Sequence, residues 1–150
     1  MITRELAEAL VAKGLRWEPR SGDRFLVPDR DLDDEVFVVS GMAVEVADLP
    51  QGEAEMRFNG TVEWALDSIE QSEVVWLPRE DQLRAALGDR FVALESVTGG
   101  YAVVVTASPG TTRRAGSAER HVDIDAERAY ARALLSVLPG SSARPDAASA

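Results

Sequence analysis

Apolar positions recur at helical spacing near both ends of the chain and at strand spacing through much of its middle. Thr3 can cap a helix running to about Lys13, with Glu5 in its first turn and Leu6, Ala9, Leu10 and Lys13 on one face. Gly14 then supplies a left-handed stop, and Leu15 folds back on the last turn. Asp125 caps a final helix in which Ala126, Ala129, Tyr130, Ala133, Leu134 and Val137 keep a 3.6-residue period. Its alanines predict a close approach to a sheet, and Pro139-Gly140 ends it.

Between these helices the pattern predicts strands over 24–27, 36–39, 42–46, 54–58, 73–76, 91–97 and 101–106. The run 36–39 is apolar without a break, as expected of a strand covered on both faces. Ser40-Gly41 is short enough to close a hairpin, and Thr98-Gly99-Gly100 is a stronger hairpin signal. Thr61 opens a second helix whose buried stripe is Val62, Ala65, Leu66 and Ile69. Pro78 starts a third, with Glu80 and Asp81 in its first turn and Gly88 at its end.

Short connections between most strands argue against parallel crossovers. The expected fold is one α+β domain over 1–139, with a mainly antiparallel sheet of about six to eight strands and N-terminal, two central and C-terminal helices. Residues 107–121, rich in Ser, Thr, Gly and Arg, read as a mobile loop excursion, and 140–150 as a disordered tail.

Charge narrows the function. Twenty-six acidic and 16 basic residues give a net charge of −10, which repels phosphate backbones and anionic membranes. Arg113, Arg114 and Arg120 are too few to offset it, so no nucleic-acid or membrane partner is expected, whereas a basic protein surface would be attracted. The start of the chain lacks a basic stretch followed by an apolar core, and no apolar run approaches the ~20 residues of a membrane span. The expected location is the cytoplasm.

The absence of cysteine excludes thiol nucleophiles and cysteine-ligated metals, and the single histidine, His121, excludes a site needing two imidazoles. A Ser-His-Asp triad would have to use His121, in or beside the excursion. Ser40 and Ser68 lie outside any Gly-x-Ser-x-Gly, and Gly99-Gly100 leads into a strand and forms no phosphate loop. No cofactor is expected.

Two features remain as candidates. Asp29, Asp31, Asp33 and Asp34 crowd together with Glu35. As an EF-hand the run fails, because Asp34 stands where glycine is needed and Ser40 where a bidentate glutamate is needed. A looser site for a divalent cation is the sharper reading of these aspartates, and a solvated loop the plainer one. The second candidate is Trp64. At 100° per residue it lies opposite the apolar stripe of its helix, beside Asp67, Ser68 and Gln71. It reads either as covered by another element, Trp17 included, or as the anchor of a binding surface. Glu63 and Asp67, four apart, could form an acid–base pair but equally suit a solvated helix.

Three blocks are long enough to be specific: Gly-Asp-Arg-Phe-x-x-Pro-Asp-Arg-Asp from Gly22, Phe-Asn-Gly-Thr-x-Glu-Trp-Ala-Leu-Asp-Ser from Phe58, and Trp-Leu-Pro-Arg-Glu-Asp-Gln-Leu from Trp76. In these the chain resembles a group of small actinobacterial proteins, over about 15–87 and again over 126–138. Some members of that group carry the label pilus assembly protein CpaE, and the group has no assigned activity. The label implies a nucleotide-binding ATPase with a phosphate loop, which this sequence lacks. The resemblance therefore implies a shared fold unit and carries over no catalytic residue.

The function expected from these residues is that of a non-enzymatic cytosolic protein-interaction or regulatory protein. The alternative is a small-ligand or divalent-metal protein, such as a hydrolase, built on the aspartates from Asp29 to Asp34. The sequence sets no oligomeric state.

Overall fold

Thr3 caps the first helix as its hydroxyl requires, with Oγ1 accepting from the Leu6 amide at 3.4 Å. This helix, α1, spans Arg4–Ala12. It ends in a Schellman turn: Gly14 takes φ 97°, its amide bonds to Val11 O, and the Leu15 amide reaches Leu10 O. The computed structural model describes residues 1–28, 35–39, 44–48, 54–58, 68–107 and 117–139.

Among the described residues, nine strands form three antiparallel three-stranded sheets. In the first, β1 (Arg24–Leu26) lies between β2 (Val36–Val38) and β6 (Val75–Leu77). In the second, β4 (Ala54–Phe58) lies between β3 (Val44–Asp48) and β5 (Ser68–Glu70). In the third, β8 (Gly100–Thr106) lies between β7 (Phe91–Val97) and β9 (Ala118–Asp123). A 3-10 turn at Gln71–Glu73 links β5 to β6, and α2 (Glu80–Leu87) follows. The last helix, α3 (Ala126–Val137), is capped by Asp125, which accepts from the Arg128 amide at 3.2 Å.

Two apolar clusters hold these elements. The larger joins α1, α2 and α3 to one face of the third sheet, with Leu10, Leu83, Val103, Val105, Tyr130 and Leu134 buried together. Ala129, Ala131 and Ala133 have no exposed surface, so α3 sits close to its neighbours. The smaller contains Phe25, Val27, Val39 and Ile69, with Trp17, Phe37 and Val74 packed on it. Ile69 thus brings the second sheet against the first. None of the described helices is long and apolar enough to cross a membrane.

The α+β class and the antiparallel pairing follow the sequence pattern, but in place of one sheet of about six to eight strands with four helices the described residues form three sheets of three strands with three α-helices. Four local expectations are corrected. Ser68–Glu70 is a strand paired with β4, with Ile69 opposite Met56, so the second helix does not reach Ile69. Residues 61–67 lie outside the described residues. β2 and β3 belong to different sheets, so no hairpin joins them. Val36 and Val38 are exposed, because β2 is an edge strand covered on one face only. Ala118–Asp123 is a strand running the length of β8, which takes His121 out of the expected excursion and pairs it with Val103.

Candidate functional site

A buried carboxylate organises one end of the molecule. Asp23 follows Gly22, whose φ of 90° turns the chain into β1, and is only 1 % exposed. Its Oδ1 accepts from Arg79 Nη1 at 2.8 Å and Gln82 Nε2 at 2.7 Å. Its Oδ2 accepts from Trp17 Nε1 at 2.8 Å and the Arg20 amide at 3.0 Å. A charge taken out of water is tolerated only when its lone pairs are met in this way. Two of the three sequence blocks, those beginning at Gly22 and Trp76, therefore meet at this carboxylate. Arg79 also holds Asp81, and that hydrogen bond draws the Asp81 carboxyl below the ordinary carboxylate range and raises the Arg79 guanidinium above its own.

This arrangement fixes Trp17. Its ring stacks on Trp76 with centroids 6.0 Å apart and planes 5° from parallel. Beside the pair opens a cleft of about 690 Å³. The end of α1 and the turn after it supply Val11, Ala12, Gly14, Leu15 and Arg16; the 3-10 turn and β6 supply Gln71, Val74 and Val75. Gln71 Nε2 donates to Trp17 O at 2.8 Å and ties the two walls together. The cleft lies on the seam between the clusters, since Leu15 and Val75 pack on the larger and Trp17 and Val74 on the smaller.

The polar groups of this cleft are few. Glu8 at the rim is taken by Arg4, Nε to Oε1 at 2.7 Å. Arg16 is exposed and has no ion-pair partner among the described residues. Trp76 is 7 % exposed, and its indole N–H is buried without a hydrogen-bond acceptor among the described residues. Apolar walls with sparse polar groups are the usual make-up of a ligand site. A second cleft, beside α2, is lined by charges of both signs, with the Arg84 guanidinium 4.6 Å above the Phe91 ring.

His121 does meet a serine. Ser136 Oγ lies 3.1 Å from His121 Nε2, but Glu119 Oε2 stands 3.5 Å from that same nitrogen. A triad needs serine and acid on opposite ring nitrogens. Moreover, the Ser136 hydroxyl donates to Ala133 O at 2.7 Å, so its proton is engaged elsewhere.

Of the residues singled out from the sequence, Trp64, Asp67, Asp29, Asp31, Asp33 and Asp34 lie outside the described residues. Ser68 stands in β5 opposite Arg57, and Gln71 in the 3-10 turn, so these two do not share a helical face. Gln71 belongs to the Trp17–Trp76 cleft. Among the described residues no group of three or more acidic or histidine side chains could hold a metal ion. Sequence reasoning missed Val11, Leu15, Arg16 and Trp76; the available signal was Val11, an apolar residue off the buried stripe of α1. Comparison with family models, characterised proteins and solved structures yields no match for this chain.

Proposed function

We propose that this chain is a non-enzymatic regulatory protein of the cytoplasm that binds a ligand in the Trp17–Trp76 cleft. The observation that carries this reading is the cleft's position: a cavity of about 690 Å³ on the seam between two apolar clusters. A ligand seated there touches both clusters and stabilises their association, so occupancy reports on how the two halves of the molecule sit together. The cleft takes the place of Trp64 as the anchor, with Gln71 in its wall.

Thermal unfolding against a panel of small apolar molecules tests it, because a ligand of the folded state raises the melting temperature. Val11 is half exposed at the mouth, and Val11→Gln keeps helix propensity while removing apolar surface. The expected result is a ligand-dependent rise that shrinks in Val11→Gln while the unliganded melting temperature stays the same. A panel without any shift, or shifts indifferent to Val11→Gln, would overturn the reading.

A further inference from the structure

We infer that the ligand of the Trp17–Trp76 cleft is a small organic acid, an apolar body carrying one carboxylate, held at the mouth by Arg16. The inference rests on the cleft being a binding site and names the chemistry it would accept.

The walls determine the body. Val11, Leu15, Val74 and the indole rings offer mainly hydrophobic surface, with the Trp76 N–H the one donor of the two indoles without an acceptor among the described residues, so the buried part of a ligand should be largely apolar. The charges determine the head. A protein of net charge −10 repels anions at long range, so an acid binds only where a local cation outweighs that field. Glu8 is already neutralised by Arg4. Arg16 lines the cleft, is exposed and carries no ion pair among the described residues. Its planar fork matches a carboxylate with two parallel hydrogen bonds. The stacked Trp17–Trp76 pair presents electron-rich faces, which repel an anion and leave the carboxylate at the mouth beside Arg16 while the body lies within. A cleft of about 690 Å³ is of the size that receives a small molecule.

The test compares octanoate with 1-octanol, and 4-phenylbutyrate with 4-phenylbutanol, by isothermal titration calorimetry. A charge-assisted pair should make each acid roughly tenfold tighter than its alcohol. Arg16→Gln should remove that preference and leave the alcohols unchanged; Arg16→Lys should restore part of it. Arg16 is exposed, and equal melting temperatures establish that the variants are folded. Alcohols binding as well as acids, or Arg16→Gln binding octanoate as wild type does, would overturn the acid assignment while the cleft reading stands. Binding by a leucine-terminated peptide but by neither acid would also overturn it, in favour of a protein carboxy-terminus. No binding by any of these probes would remove both readings.

Discussion

Arg79 donates to Asp23 at 2.8 Å across a sequence separation of 56 residues, and this bond locks the start of β1 to the start of α2. Gln82 adds a second donor to the same oxygen. With Trp17 and Arg20 on the other oxygen, Asp23 holds three segments in register at once.

Asp23→Asn keeps the shape and removes the charge, and its amide must then face N–H donors on one side or the other. A buried charge pair broken at one partner typically costs about 3–5 kcal/mol. Urea unfolding should show a loss of that order, together with a change in Trp17 fluorescence. A loss under about 1 kcal/mol, within the range of an ordinary surface change, would mean that the donors find water instead.

Acid should weaken the β9–α3 junction. Asp123 is 9 % exposed, accepts a hydrogen bond from Arg132 Nε at 2.8 Å and forms an ion pair with Arg128, whose Nε stands 3.0 Å away without hydrogen-bond geometry. Burial raises its pKa, but the Arg132 bond, the Asp125 amide and the two guanidinium charges outweigh that and leave it below the ordinary range. A depressed folded pKa contributes stability that is present above the unfolded value of about 3.9 and is lost as pH falls through the folded value. Asp123→Asn should therefore lie about 2 kcal/mol below wild type at pH 7, with the gap closing below about pH 4. A gap that does not narrow at all as the pH falls from about 5 to about 2 would contradict this.

Two adjacent glycines should respond differently. Gly99 takes φ 80° in open space, so Gly99→Ala carries only the left-handed penalty of about 1 kcal/mol. A Cβ on Gly100 would stand 2.3 Å from Asp123 O and 2.8 Å from Ile124 Cα. That is backbone and cannot rotate aside, so Gly100→Ala should cost about 3 kcal/mol as β9 is pushed off β8. Chemical denaturation of both variants ranks them directly.

Much of this architecture was legible because it is local. The Thr3 and Asp125 caps, the Gly14 stop and the Thr98-Gly99 turn each act within a few residues. Ile69 shows the limit. Its spacing from Val62, Ala65 and Leu66 suits a helix, yet pairing with β4 places it in a strand, because register with a distant neighbour outweighs local period. Its burial was still read correctly. The cleft was illegible for the same reason: Trp17 and Trp76 meet only after β1 pairs with β6 and Asp23 fixes the indole.

Packing along α3 offers a further check. Ala133 is fully buried, so Ala133→Val should cost about 1–3 kcal/mol by overpacking. Ala86→Val, on the exposed side of α2, should cost about 0.5 kcal/mol through helix propensity alone. Equal losses would mean that α3 yields freely.

The separation of the two clusters also sets an order of assembly. The hairpin of β7 and β8, the added strand β9 and the returning α3 are sequence neighbours. Docking of β1 on α2 requires the chain to bridge 56 residues between Asp23 and Arg79, and docking of α1 on α3 brings the two ends of the chain together, both of which are entropically slower. The Trp17–Trp76 cleft lies on that late-closing side, so it should take shape at the end of folding and open first on unfolding. Hydrogen exchange should accordingly find β6 and the turn around Trp17 opening before β8 does.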